Sequence, residues 1–413
     1  MTGAGLFRGL LAAFVVGLGM SITLSQSALA LLTLLWLWRL RDRDGRAAAR
    51  WPLGSPVAAF SAVTVLSAIL SGHPVESLLA SKTLLLVAAL YVTANALRDV
   101  EAADAFLTGL SLVVALAAAI GVAQVTMCPS GDGAGFSPRW LYHRCDRARG
   151  LFSIYMTLAG VLTLVLLATL PRVVPGPAFR RWAPIPWLVS LAGLVVTFTR
   201  GAWIAFAAGA LAWLPLARRA GWIAVGTVLL VAVALLATPA SVRQRSLTLS
   251  ELHQRLVQMA DPREAGARER VYMWRSGLAM WREHPLLGVG PGGVKREFPR
   301  FARPEAAKQH TSHVHNTPLQ ILVERGALGA AAWLWIWIAF YAHALRLWWR
   351  LPAEAGRERA LVAGSLAAIT GFLLGGLTEY NFGDSEVVMV AWALMALPWA
   401  VGQAHGSRGS SPG

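Results

Sequence analysis

The chain has 413 residues, 56% of them hydrophobic and 14% charged, with a mean hydropathy of +0.54 and a formal net charge of +16. A soluble domain of this length carries about a quarter charged residues, so a soluble globular protein is excluded and an all-α, polytopic membrane protein is expected. The basic charges punctuate apolar runs instead of forming one soluble face, which excludes nucleic acid as a partner.

A helix that crosses the hydrocarbon core needs about 20 apolar residues. By that measure twelve runs are candidate spans, at approximately 6–21, 23–40, 53–71, 76–97, 104–127, 151–171, 185–200, 201–217, 221–238, 317–346, 360–379 and 386–403. Arg8 precedes the first run, but no small-residue cleavage pattern follows it, so this run reads as a span and not as a cleaved signal. The first pair, and the pair meeting at Arg200, are short with tight connections, and a broken or re-entrant helix is the alternative there. The expected organisation is nine spans over 1–238, a helical periplasmic loop domain over 239–316, three spans over 317–404 and a disordered Gly/Ser-rich cytoplasmic tail over 405–413.

Arginine orients the chain, because cytoplasmic loops collect it. Arg39, Arg41, Arg43, Arg46 and Arg50 follow the second run, Arg172, Arg180 and Arg181 the sixth, Arg218 and Arg219 the eighth, and Arg346, Arg350, Arg357 and Arg359 the tenth. All are even-numbered loops, so both termini are placed in the cytoplasm. Three outward loops break the rule: one with Arg139, Arg144, Arg147 and Arg149, the turn at Arg200, and the long insertion with eleven arginines from Arg243 to Arg303. Long loops cross regardless of charge; charges kept in the two short ones are functional candidates. Cys128 and Cys145 share the first of these loops and are a disulfide candidate in an oxidising compartment, two separate thiols being the alternative.

In the insertion, Ser246–Leu256 has helix-compatible leucines. Arg268–Glu283 reads as an amphipathic helix with Val271, Trp274, Leu278 and Trp281 on its apolar stripe, ended by His284-Pro285. The turn-rich Gly288–Gly293 lacks the preceding strand and the Lys-Ser ending of a nucleotide-binding loop.

The chemistry-bearing candidates cluster on the outward side. His315, at the lip of the run from Thr317, can accept a proton from a hydroxyl near neutral pH; His313 and Asn316 flank it, and a solvated or capping histidine is the plain alternative. No cysteine and few carboxylates accompany His310, His313 and His315, so no metal is expected. Arg200, at the junction of two apolar runs, is a site candidate by its position, with snorkelling to a headgroup as the alternative. Arg270 and Arg275, with Arg147 and Arg149, could converge to stabilise a diphosphate without a metal. A GC-rich genome is the plainer account of most loop arginines. Glu379 and Asp384, in the last outer loop, could orient a sugar or pair with an arginine, or simply be solvated.

His315-Asn316, nine residues, Gly326, two residues and Gly329 resembles the signature of bacterial O-antigen ligases. Glu283-His284-Pro285-Leu-Leu-Gly288-Val-Gly290 and Thr199-Arg200-Gly201-Ala202 resemble elements of the wider O-antigen ligase and polymerase superfamily; Ala330 departs from the threonine common in ligases. The resemblance implies a metal-independent, inverting glycosyltransferase of the GT-C kind, without a cofactor. It implies an undecaprenyl-diphosphate-linked glycan donor, a lipid A core acceptor and membrane lipid as partners, and a site on the periplasmic face. It implies His315 as the base and Arg200, with Arg270 or Arg275, at the diphosphate. An O-antigen polymerase and a protein oligosaccharyltransferase are the alternatives within the superfamily. A small-solute transporter and a non-catalytic lipid-binding scaffold are those outside it, though the spans carry few ionisable residues besides Lys82.

Overall fold

The computed structural model describes residues 3–126, 147–217 and 265–408, and every regular element among them is helical. The expected ninth span, Cys128, Cys145 and the insertion up to residue 264 lie outside the described residues. The helices, numbered here in order, are α1 (Gly3–Met20), α2 (Ile22–Arg39), α3 (Arg43–Ala48), α4 (Gly54–Ile69), α5 (Pro74–Ala80), α6 (Ala88–Ala96) and α7 (Val100–Thr126). They continue with α8 (Tyr155–Val173), α9 (Pro184–Val196), α10 (Arg200–Trp213), α11 (Ala265–Glu283), α12 (Val294–Phe301), α13 (Thr317–Arg350), α14 (Gly356–Gly375), α15 (Ser385–Met395) and α16 (Leu397–Arg408).

Seven stretches among the described residues are long and apolar enough to cross a membrane, and the chain is a membrane protein: Ile22–Arg39, Pro74–Ala96, Val100–Thr126, Tyr155–Val173, Thr317–Arg350, Gly356–Gly375 and Ser385–Gly402. Four other expected spans are apolar helices of 10–17 residues. At about 1.5 Å per residue, α9 is shorter than the roughly 30 Å hydrocarbon core. The run 76–97 is helical but not uniform, since a 3-10 segment, Ser81–Val87, separates α5 from α6. Ser81 Oγ donates to the Ser77 carbonyl at 2.8 Å, a local bond that competes with the regular helical ladder.

Helices α8 and α15 are buried almost all round, as expected of apolar helices enclosed by others. α14 packs against α8 and α10. Gly364 permits the approach to α8, because a Cβ there would collide with the Ala168 carbonyl oxygen. α2 and α13 leave Leu34, Trp38, Leu334 and Ile338 exposed, apolar surface of the kind that faces lipid tails.

The loops gather at two ends. At one end, Arg172 and Arg180 both bond Asp104, Arg50 Nη1 donates to the Leu97 carbonyl at 3.3 Å and Arg359 stacks over Trp348. At the other, segment 147–154, the α9–α10 turn, segment 284–316 and the loop 376–384 meet: the Ala148 N–H donates to Val196 O, Glu379 bonds Arg270 and His315, and the Thr317 N–H donates to Gly376 O.

Gly326 locks this second end. Its φ of +63° and ψ of −170° break α13 after two turns. The break frees the Val323 and Glu324 carbonyls to accept from Val289 and Gly290, and the Ala327 and Leu328 N–H groups to donate to Pro285 and Leu286. A Cβ at Gly326 would collide with the Leu286 backbone, so the two sequence motifs around 284–290 and 315–329 interlock through a residue without a side chain.

Below the same end, Met273, Met280, Val289, Val294, Phe298, Val314 and Val323 form a small second core. Trp274 and Trp281 of the stripe expected on α11 pack against it, and the other two residues of that stripe are corrected. Val271 and Leu278 are 40% and 38% exposed, whereas Met273, Ser276, Gly277 and Met280 face inward. Ser276 and Gly277 are small enough for α13 to approach; a Cβ on Gly277 would already press on Leu319 and Val314 at 3.3 Å. Close approach at Ser276 and Gly277 leaves Val271 and Leu278 on the outer face.

Candidate active site

Asn316 begins the site by ending the loop. Its Oδ1 accepts from the Leu319 N–H at 2.9 Å and caps α13, while its Nδ2 donates to the Leu377 carbonyl at 2.9 Å. Thr317 Oγ1 donates toward the Glu379 carbonyl and Asn381 Oδ1, both at 2.9 Å. These contacts tie the start of α13 to the loop after α14. His315 is thereby held at φ +48°, a left-handed conformation that costs a non-glycine residue about 1–3 kcal/mol and collects at functional sites.

His315 Nδ1 lies 2.9 Å from Glu379 Oε2, with the two side chains 14% and 19% exposed. A carboxylate accepts only, so Nδ1 donates, and it is the neutral form of the ring that offers Nε2 as an acceptor. The other oxygen of Glu379 is bonded by Arg270. The three side chains line one cleft of about 340 Å³ together with Arg147, Arg200 and Lys308, with Glu269 as a second acid. Arg147 stacks over the Tyr155 ring at 4.4 Å. Thr199, Arg200 and Gly201 bring the N-terminus of α10 to the same wall, and Phe198, beside it at φ +50°, makes the sharp turn between α9 and α10. Two of the three non-glycine residues with positive φ among the described residues therefore border this cleft.

The remaining expected residues fall around it. His313 sits 4.3 Å from the His315 ring, centroid to centroid. Burial first, then the neighbouring His315, pushes its pKa down to about 4, against the opposing pull of Glu379, so His313 is neutral at pH 7. Arg275 is exposed and lies outside the cleft, which separates it from Arg270. Arg149 is turned back onto the Ser153 carbonyl. Asp384 caps α15 through Val387 N–H and accepts from Thr157 Oγ1 at 2.5 Å. Among the described residues no three His, Cys, Asp or Glu side chains are grouped as a metal ion would require.

Sequence reasoning missed two features. Lys308 reaches the cleft from the loop before His315; only its rarity, as one of three lysines in the chain, set it apart. Glu324 and Arg325 form a buried pair, each side chain 4% exposed, with Arg325 Nη1 donating to Glu324 Oε2 at 2.9 Å. Glu324 Oε1 accepts from the Gly292 N–H and Gln320 Nε2, both at 2.9 Å, and Arg325 Nε donates to Thr64 at 3.1 Å. The glycine-rich loop thus gives its Val289, Gly290 and Gly292 N–H groups to α13. The apolar run from Thr317 had masked this pair, so the spans are less free of charge than the composition of the run suggests.

A multi-span helical membrane protein with a cationic, histidine-bearing cleft at one end of its bundle is the class these features define. The sequence model of the family described as O-antigen ligase matches residues 185–334. The match takes in Arg200, Arg270, His313, His315 and Gly326; Arg147 and Glu379, outside it, reach the cleft through the fold. No curated protein matches the chain.

Proposed function

We propose that the protein is an O-antigen ligase, transferring a glycan from an undecaprenyl-diphosphate carrier to a sugar hydroxyl on lipid A core with inversion at the anomeric carbon. The observation that carries this reading is the His315–Glu379 pair on the wall of a cleft lined by Arg147, Arg200, Arg270 and Lys308. Four fixed cations and the N-terminus of α10 suit a diphosphate. They also neutralise it as a leaving group, which replaces both a metal and a general acid.

The remaining requirement is a base. His315 Nε2 takes the proton of the acceptor hydroxyl, and the oxygen attacks the anomeric carbon on the face opposite the diphosphate. The carbon–oxygen bond to phosphate breaks, and the polyprenyl diphosphate leaves with the electron pair. Glu379 holds the imidazole by Nδ1 and faces the imidazolium that forms, as a carboxylate does behind a catalytic histidine.

The arginine-rich opposite end, with Arg50, Arg172, Arg180 and Arg359, is the cytoplasmic one by the positive-inside rule. The cleft then opens on the periplasmic side of the inner membrane, where lipid-linked glycans present their diphosphates. The reaction is tested with purified protein, a synthetic polyprenyl-diphosphate glycan and purified core lipopolysaccharide. Capped core from the wild type and none from His315→Ala supports the reading. A donor lengthened by further repeats, with core left uncapped, would instead mark a polymerase.

A further inference from the structure

A second chamber, of about 410 Å³, lies on the other side of Glu379. It shares Met156, Thr199, Gly201 and Glu379 with the cationic cleft, so the two adjoin. Their charges are opposite. The cleft sets Arg147, Arg200, Arg270 and Lys308 against Glu269 and Glu379. The chamber sets Glu324, Glu379 and Asp384 against Arg325 alone, and adds His313. The two histidines divide accordingly, His315 on the cleft and His313 on the chamber.

A diphosphate is repelled from a pocket with an excess of carboxylates. An uncharged polyol is not: carboxylates, amides and hydroxyls are the groups that bond vicinal hydroxyls, and apolar or aromatic faces cover the C–H surface of a sugar ring. The chamber offers Asp384, Asn381 and Thr157 for the first purpose, and Phe372, Ala202 and Ala205 for the second. Its polar groups are already held in place. Asp384 is fixed by Thr157 and the Val387 N–H, Asn381 by Thr317 and the Phe372 carbonyl, and the Glu324–Arg325 pair by Gly292, Gln320 and Thr64. A site preorganised in this way loses little on binding.

Resting on the transferase reading above, we propose that this chamber is the acceptor site, taking the uncharged sugar ring that presents its hydroxyl at the junction beside Glu379, while the cleft takes the donor diphosphate. Division by charge then keeps the diphosphate out of the acceptor's place.

The two histidines report on it without turnover. Full-length protein is labelled with diethyl pyrocarbonate, and His313 and His315 are read separately by peptide fragmentation. Core oligosaccharide released from lipopolysaccharide by mild acid is expected to slow labelling of His313 by about fivefold or more at saturation, and inorganic pyrophosphate is not. Thr83→Trp fills the chamber from a wall that the cleft does not share and is expected to abolish that protection while pyrophosphate still protects His315. Ala80→Trp serves the same purpose should Thr83→Trp fail to fold. No protection of His313 by the oligosaccharide, equal protection by pyrophosphate, or protection that survives a filled chamber overturns the assignment. A silent transfer assay beside intact protection would strike the transferase reading and leave the sugar site standing.

Discussion

Glu379 and His315 are 64 residues apart in the chain and 2.9 Å apart in the structure, Oε2 to Nδ1. The same carboxylate gives its other oxygen to Arg270, so one acid is divided between the proposed base and a proposed diphosphate ligand. That division has a consequence of unusual sign. In Glu379→Gln, Arg270 is released to the cleft while the imidazole loses the charge behind it. Inorganic pyrophosphate is expected to bind the variant more tightly than the wild type, and turnover is expected to fall by about 10²–10⁴-fold. Calorimetric titration beside the transfer assay checks both. Weaker pyrophosphate binding would show that Glu379 does not compete for Arg270.

His315→Ala removes the acceptor of the proton itself. Transfer is expected to drop by at least about 10²-fold with membrane insertion and pyrophosphate affinity retained. A scaffold that only binds lipid would keep its cellular function in this variant, so complementation of a deletion strain, read on a lipopolysaccharide gel, separates the two classes.

Exposure sorts the arginines. Arg147, Arg200 and Arg270 line the cleft, and Arg275, on the same helix as Arg270, does not. Losing one charge-assisted contact to a diphosphate costs about 1.5–3 kcal/mol, roughly 10–150-fold in pyrophosphate affinity. Arg147→Gln, Arg200→Gln and Arg270→Gln are each expected to show it, and Arg275→Gln is expected to bind as the wild type does. Affinity in the wild type should also fall with added salt. An Arg275→Gln variant as weak as Arg270→Gln would mean that the diphosphate reaches beyond the cleft.

The helical class was legible because apolar runs near twenty residues leave few alternatives. His315 and Arg200 stood out as polar residues at the edges of such runs. The partner of His315 did not, since nothing in local periodicity specifies a contact across 64 residues; Glu379 was one acid among several in its loop. Periodicity placed Trp274 and Trp281 of α11 on the packed side but could not show that Val271 and Leu278 turn outward, because that rests on how near α13 comes to Gly277. The Glu324–Arg325 pair was hidden by the hydropathy of the run around it, which averages two charges away.

Gly326 tests the interlock behind the site. Gly326→Ala places a Cβ against the Leu286 backbone at a φ of +63°, and both the clash and the left-handed backbone act against the folded state. A loss of about 1–3 kcal/mol or more is expected, seen as a lower unfolding temperature in detergent. Gly266→Ala, in α11 with nothing within 4 Å of the added Cβ, is expected to be neutral or slightly stabilising. Equal behaviour of the two variants would argue that the 284–290 segment does not need its close seat on α13.

His313 makes the fold itself sensitive to acid. Burial, aided by His315, holds its pKa near 4, below the ordinary value of 6.5. The unfolded chain therefore binds the proton first as pH falls, and stability drops where it does so. The contribution is complete above about pH 6.5, declines from there toward pH 4 and levels off below; its size is about 3 kcal/mol at most. Unfolding temperatures measured between pH 7.5 and pH 4 are expected to fall less steeply for His313→Gln than for the wild type. Identical slopes would show that His313 does not resist protonation in the folded protein, and that the wall it forms beside His315 is wetter than its burial implies.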